Sequence, residues 1–431
     1  MKQSNFERFN LKPFIIESIM EQGFKLPTEI QERLIPSIMN GTDAIGKSQT
    51  GTGKTLAYLL PIVNNIDPTI AEVQAVITAP TRELAKQIYA EILKLTAHAP
   101  EGEKIEARCI VGGTDRSRTI GKLAVPPHIV VATPGRLMDI VVKEQALSIF
   151  KASTLVVDEA DVMLDMGFIN EVDQLASRMK EDVQMLVFSA TIPEKLQPFL
   201  KKYMQNPKFI EAKGEQATKP KIEHVIIPVR HREKIDLLER VTKSINPYFA
   251  IVFTNTKKQA DEVANALQER GINVGRLHGS LTPRQRNKVM KDVLDVKMQY
   301  LVATDIAARG IDIKGVSHII NYELPEDLDF YIHRSGRTGR AGAEGIAITL
   351  YEISDEDALA RLTSKGINFA HKDIKNNEFI ELAPLRRKRV KKADENQKTF
   401  SKLKSQHKVK PGYKKKLKKQ AEQMGRRNKQ R

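Results

Sequence analysis

Cysteine is nearly absent from this sequence: Cys109 stands alone in 431 residues. One cysteine excludes an internal disulfide framework and a cysteine-based zinc site. It lies in an apolar, strand-like run and reads as a small core residue. No apolar run approaches the roughly 20 residues that a membrane-spanning helix needs. The opening MKQSNFERFN lacks the hydrophobic stretch of a signal peptide, so a cytoplasmic location is expected. Charge of one sign is also lacking over most of the chain. The whole carries 70 basic and 53 acidic residues, a net +17. Positions 385–431 hold 20 basic and 3 acidic residues, which leaves 50 of each before them. A compact basic block beside a balanced body is the usual form of a nucleic-acid arm. Poor in apolar residues, this tail is expected to be largely disordered when unbound. The body, at 41% hydrophobic residues for the whole chain, is long enough for two or three domains with cores.

The stretch that organises the rest is Asp158-Glu159-Ala160-Asp161, directly after the apolar run Leu155-Val156-Val157. The pattern reads as a buried strand ending at two carboxylates. Such a pair suits a water-coordinated Mg²⁺ and an attacking water. By itself the tetrapeptide reads equally as a charged turn. About a hundred residues earlier lies Ser48-Gln49-Thr50-Gly51-Thr52-Gly53-Lys54-Thr55, which follows Ala44-Ile45 and opens a helical run. Its glycines free backbone N–H groups to face phosphate. Lys54 can reach the β/γ-phosphates, and the Thr55 hydroxyl can hold Mg²⁺. Ser48 stands where the general pattern has its first glycine. The alternative is a flexible strand–helix turn.

Upstream, Leu11, Phe14, Ile15 and Ile19 keep helical spacing, and Gly23-Phe24-Lys25-Leu26-Pro27-Thr28-Glu29-Ile30-Gln31 reads as a helix–turn–helix. The Gln31 carboxamide offers the donor and acceptor that an adenine edge requires, or it is a surface glutamine. Downstream, strand-like runs alternate with helical ones and end at Pro80-Thr81-Arg82, Thr133-Pro134-Gly135-Arg136, the acidic tetrad and Ser189-Ala190-Thr191. This rhythm predicts a parallel sheet with helices on both faces, and ligands of such sheets sit off the carboxyl ends of the strands. Hydroxyls, helix N-termini and guanidinium groups gathered at that edge suit a phosphate backbone. Gly112-Gly113 reads as a close backbone approach or as a plain turn.

From about residue 206 to 225 the pattern loosens and reads as a linker. A second βα series follows, with strand-like runs ending at Thr254-Asn255, His278-Gly279 and Thr304-Asp305. It has no glycine-rich phosphate loop. It does carry Ala308-Arg309-Gly310-Ile311-Asp312 and His333-Arg334-Ser335-Gly336-Arg337-Thr338-Gly339-Arg340. An arginine facing a transferring phosphoryl group stabilises its transition-state charge; the alternative is a basic loop for any anion.

These motifs, in this order and spacing, resemble the DEAD-box family of ATP-dependent RNA helicases over about residues 6–350. By length and short basic tail the chain is most similar to the family's bacterial cold-shock members. The resemblance implies an α/β fold of two tandem RecA-like parallel-sheet domains joined by a short linker, followed by the basic tail. The expected division is 1–208 (with an adenine-sensing segment at 4–32), a linker at 209–224, a second domain at 225–375 and the tail at 385–431. It implies ATP and Mg²⁺ as cofactors and single-stranded and short duplex RNA as partner. Cold-shock proteins, the ribosome or RNA-degradation machinery are further partners, and the chain is expected to be a monomer.

Carried onto this sequence, Phe6, Phe24 and Gln31 belong to the adenine-sensing segment. Ser48, Gln49, Thr50, Gly51, Thr52, Gly53, Lys54 and Thr55 bind the nucleotide, with Asp312 at the ribose. Thr55 and Asp158 hold the metal. Lys54, Asp158, Glu159, Arg337 and Arg340 carry the chemistry, Glu159 as the base. Asp161, Ser189, Thr191, His333 and Arg334 couple the domains. RNA lies on Pro80, Thr81, Arg82, Gly113, Thr133, Pro134, Gly135 and Arg136 in the first domain, and on Thr254, Arg276, His278, Gly279 and Thr304 in the second. One departure stands out. Where the family often has a glutamine three residues before the arginine that is here Arg286, this chain has Pro283. That puts contacts from this helix start in doubt.

Neither half has a full set of phosphate ligands, so the expected mechanism is a split site that ATP and RNA close together. Closure would bend one strand and pry a short duplex apart locally. Two other readings are an ATP-gated RNA clamp with little unwinding and a non-enzymatic RNA chaperone acting through the tail. A DNA-directed helicase of the same superfamily is a third.

Overall fold

The computed structural model describes residues 6–48, 51–211, 222–308, 313, 315–339 and 344–383. Gln49, Thr50, Asp312, Arg340, most of the expected linker and the basic tail lie outside these residues.

The first lobe is a seven-stranded, wholly parallel sheet: β1 Ala44–Lys47, β2 Ala75–Thr78, β3 Ala107–Ile110, β4 Ile129–Ala132, β5 Thr154–Val157, β6 Gln184–Ser189 and β7 Lys208–Glu211. Their order across the sheet is β3-β4-β2-β5-β6-β1-β7. Strands covered on both faces are apolar throughout, because successive side chains point to opposite layers. Thus Val156 joins one apolar layer while Leu155 and Val157 join the other.

The second lobe holds β8 Ile222–Pro228, β9 Ala250–Thr254, β10 Val274–Leu277, β11 Tyr300–Thr304, β12 His318–Asn321, β13 Gly345–Tyr351, β14 Phe369–Lys375 and β15 Glu378–Glu381. The order is β10-β11-β9-β12-β13-β8-β14-β15. Strand for strand this repeats the first lobe and adds one antiparallel edge strand, β15. The fold is therefore two RecA-like α/β lobes.

The folded boundaries differ from the expected ones. β7 pairs with β1, so the first sheet reaches Glu211, and β8 begins at Ile222 inside the stretch read as linker. The second sheet runs on to Glu381 rather than stopping near 375. β7 was not visible as a strand because it lies at a sheet edge, where only Ile210 is buried. Cys109 is only partly buried, packed against one apolar layer, and burial pushes its thiol up to about 11. Among the described residues no helix is long and apolar enough to cross a membrane.

Candidate active site

The glycine loop joins β1 to the helix Lys54–Asn65, which places Lys54 and Thr55 in its first turn. Gly53 has φ +89, and a Cβ there would lie 2.5 Å from Gln31 Nε2. Only glycine fits, because both the backbone and the space exclude a side chain. Lys54 is buried, and its Nζ donates to the Ser48 carbonyl at 2.7 Å. The Ser48 and Thr52 hydroxyls are 2.8 Å apart.

Gln31 is not a surface glutamine. It is 3% exposed, accepts from the Thr28 N–H at 2.9 Å and donates to the Gly53 carbonyl at 3.0 Å. Thr28 Oγ1 donates to the Thr52 carbonyl at 2.8 Å. The helix start at Thr28 is thus fastened to the glycine loop through two side chains. Phe24 keeps an exposed ring, whereas Phe6 is buried in the first-lobe core against Phe9. Phe6 therefore anchors the upstream segment in the first-lobe core.

At the end of β5, the two oxygens of Asp158 accept from the Glu159 N–H and the Tyr58 hydroxyl, each at 2.9 Å. Glu159 has φ +50, a left-handed backbone rare for a residue with a side chain. Such strain gathers at functional sites. Glu159 Oε2 is buried without a hydrogen-bond partner. Burial pushes both carboxyls above the ordinary range. Lys54 opposes this most for Asp158, and Arg337, reaching from the second lobe, opposes it most for Glu159. The lobes thus bring Lys54, Asp158, Glu159 and Arg337 together.

Asp161 is buried and accepts from the Thr191 N–H at 2.9 Å and hydroxyl at 3.0 Å. The Ser189 hydroxyl accepts from the Asp161 N–H at 3.1 Å and donates to the Thr191 carbonyl at 2.6 Å. These three residues, expected to couple the domains, form one hydrogen-bonded network around the last residue of the tetrad.

The oxygen donors of Asp158 and Thr55 suit Mg²⁺, a hard cation that takes one or two protein oxygens and completes its shell with water and phosphate. Glycines that bring backbone close to the loop, with Lys54 beside them, suit a polyphosphate. The residues present therefore fit both groups.

Along the neighbouring strand ends, Pro80 and Thr81 are buried, and Thr81 caps the helix Arg82–Leu95 by accepting from the Leu84 N–H at 3.2 Å. The Arg82 guanidinium lies over Gly112-Gly113. Gly113 has φ +82, and a Cβ there would lie 2.6 Å from Arg82 Nη1 and 2.7 Å from Pro283 Cγ. The close-approach reading of this glycine pair holds. Thr133 precedes the short helix Pro134–Met138, which carries Gly135 and Arg136. Arg136 donates to the Thr114 carbonyl at 3.1 Å and keeps a buried Nε without a partner.

In the second lobe Thr254 and Thr304 stand side by side at the ends of β9 and β11. Arg276 and His278 share Asp261, at 2.9 and 3.1 Å, and Arg276 also reaches Asn265 at 2.6 Å. Gly279 lies against Lys257. Arg334 departs from expectation. All five of its N–H groups are spent within its own lobe, on Asp305, Asn321, Asn255 and the Glu323 carbonyl. It is 2% exposed beneath Phe253, so it holds the second lobe together and does not bridge to the first. His333, one residue before, is half-buried.

Sequence reasoning missed Tyr58, and it set aside Pro283 and Arg286. Arg286 pairs across the lobes with Glu83, both side chains largely buried, and Lys86 Nζ donates to Asn287 at 3.3 Å. With Pro283 against Gly113, these contacts seat the start of the helix Pro283–Leu294 on the first lobe. The missing glutamine does not remove the docking: proline starts this helix and supplies an apolar contact instead.

The DEAD/DEAH box helicase family model matches residues 28–199, and the helicase conserved C-terminal domain matches residues 233–342. The DEAD-box ATP-dependent RNA helicase CshB of Bacillus subtilis is 56% identical over 97% of this chain and 95% of its own length. That of Listeria monocytogenes is 52% identical over 96% of each chain. Among solved structures, S. cerevisiae Dbp5 bound to RNA and ADP BeF3 is similar at a TM-score of 0.77 with 28% identity, covering 86% of this chain and 95% of that one. The two matched domains coincide with the two lobes, and the loop, tetrad and arginine just described lie within them. This chain belongs to the DEAD-box family of ATP-dependent RNA helicases.

Proposed function

We propose that the helicase works by completing a split nucleotide site when RNA bridges its lobes, and so unwinds short RNA duplexes locally. The observation that carries this reading is the joining of the lobes at the Glu83–Arg286 pair, with Glu159 keeping an unpartnered oxygen in the first lobe and the charge of Arg337 acting on it from the second. The glycine loop and Lys54 receive the phosphates of ATP. Asp158 and Thr55 hold Mg²⁺, which when bound neutralises phosphate charge. Glu159 orients the attacking water and accepts its proton, and Arg337 faces the charge that develops on the transferring group. Asp312 and Arg340 are assigned to the ribose and γ-phosphate by the resemblance alone.

RNA lies along Thr81, Arg82, Gly113, Thr133 and Arg136, then Thr254, Gly279 and Thr304. Arg276 and His278 serve there by shaping the strand ends, each held to Asp261 through one side-chain nitrogen. The basic tail adds salt-sensitive affinity with little sequence preference. The names of the relatives favour a role in the cold, where RNA duplexes become too stable. The cytoplasm is the fitting location, and cold-shock proteins, ribosomes or RNA-degradation machinery are fitting partners.

One set of assays tests this reading. Glu159→Gln is expected to bind ATP and RNA while RNA-stimulated hydrolysis falls by about 10²- to 10⁴-fold. Turnover at the wild-type rate would remove Glu159 from its role. A chain ending at residue 384 should keep its ATPase activity and show a shallower salt dependence of RNA affinity. Absence of ATPase activity in the full chain and the shortened one alike would instead favour a chaperone.

A further inference from the structure

Tyr58 has no role in the reading above, yet it touches the centre of the site. Its ring is fully buried, and its hydroxyl donates to Asp158 Oδ2 at 2.9 Å. A buried phenol needs an acceptor, and a backbone carbonyl would satisfy it without placing a second ionisable group beside a buried carboxylate. Here the acceptor is the carboxylate assigned to the metal.

The placement ties three parts of the site together. Tyr58 stands three residues after Thr55 and four after Lys54 on the same helix, and this spacing puts all three on one face. Its ring lies 4.9 Å from that of Phe188, the residue before Ser189 on β6. The phenol is thus wedged between the phosphate-loop helix, the end of β5 and β6, with its oxygen aimed at Asp158. The other carboxylate oxygen is held by the Glu159 N–H. With one donor on each oxygen, the carboxylate is held in a single orientation.

We infer that Tyr58 is a positioning residue for the metal, its hydroxyl fixing Asp158 in the orientation that receives Mg²⁺ with its water shell. This inference rests on the nucleotide-site reading and adds a group that acts through Asp158 without touching substrate. Partners that orient metal-binding side chains typically matter about 10- to 100-fold in metal affinity.

The test is Tyr58→Phe in the full chain, which keeps the ring and its packing on Phe188 and removes only the hydroxyl. MgCl₂ is titrated into the protein with a fluorescent ADP analogue, and ADP affinity is also measured in EDTA. The expected result is a Mg²⁺ midpoint raised about 10-fold, with affinity in EDTA unchanged and ATPase activity restored at high Mg²⁺. In an Asp158→Asn background the same change should shift nothing further. A merely structural tyrosine would lower the melting temperature and leave the Mg²⁺ midpoint in place, and that result overturns the inference. Equal shifts with and without Asp158 would overturn it too. Wild-type protein that shows no Mg²⁺-dependent ADP binding would instead defeat the nucleotide-site reading.

Discussion

The two lobes have the same strand order, yet equivalent strand ends carry opposite chemistry. After β1 comes a glycine loop; after its counterpart β8 comes Arg232, which folds back onto the Val229 carbonyl and Asp373. After β5 comes Glu159, with an oxygen left without a partner. After the counterpart β12 comes Glu323, whose oxygens accept from the Gln259 side chain and the Asn255 N–H. At the matching strand ends, Glu159 keeps an oxygen without a partner where both oxygens of Glu323 are engaged. The shared strand order therefore sets where a site can be, and the residues at each strand end set its chemistry.

Four substitutions sharpen or break this contrast. Arg337→Ala should have the largest effect, lowering RNA-stimulated ATP hydrolysis by about 10³-fold or more, with a melting curve unchanged from wild type. Loss of stability in that variant would place Arg337 among the structural groups of its lobe. Arg334→Met should do the reverse. It strips a buried network of its cation and should cost about 3–5 kcal/mol of second-lobe stability, read by denaturant unfolding. A stable but inactive Arg334→Met protein would return Arg334 to the interdomain role first expected of it.

The smallest effect concerns the contact that joins the lobes. Glu83→Gln and Arg286→Gln should each weaken RNA binding in the presence of a non-hydrolysable ATP analogue, with a coupling in the double mutant of about 1–2 kcal/mol. Neither should alter nucleotide binding without RNA. Additive effects would mean that the pair does not act as a unit in closure.

Much of the site was legible because its determinants are local. The glycine loop, the tetrad, Thr81-Arg82 and Thr133-Arg136 each occupy one strand-to-helix turn, and the βα rhythm puts such turns at one edge. What was not legible depends on distant pairing. Tyr58 precedes Asp158 by a hundred residues, and Glu83 precedes Arg286 by about two hundred. Before folding, Tyr58 is one more apolar residue in a helix, and Arg286 is one more cation on an exposed face. The burial of Gln31 was not legible for the same reason: it comes from the glycine loop, which lies outside its own helix.

The sequence by itself determined the fold class, the doubled βα plan and the motifs at the strand ends, among them the glycine loop and the acidic tetrad. Each of these follows from residue type at short spacing, where backbone geometry leaves few choices. Only the tertiary structure decided that Arg334 is a strut of the second lobe. A guanidinium can serve a ligand only if its donors are not already taken. For Arg334 all five are taken, by groups that come together from three separate segments of the second lobe.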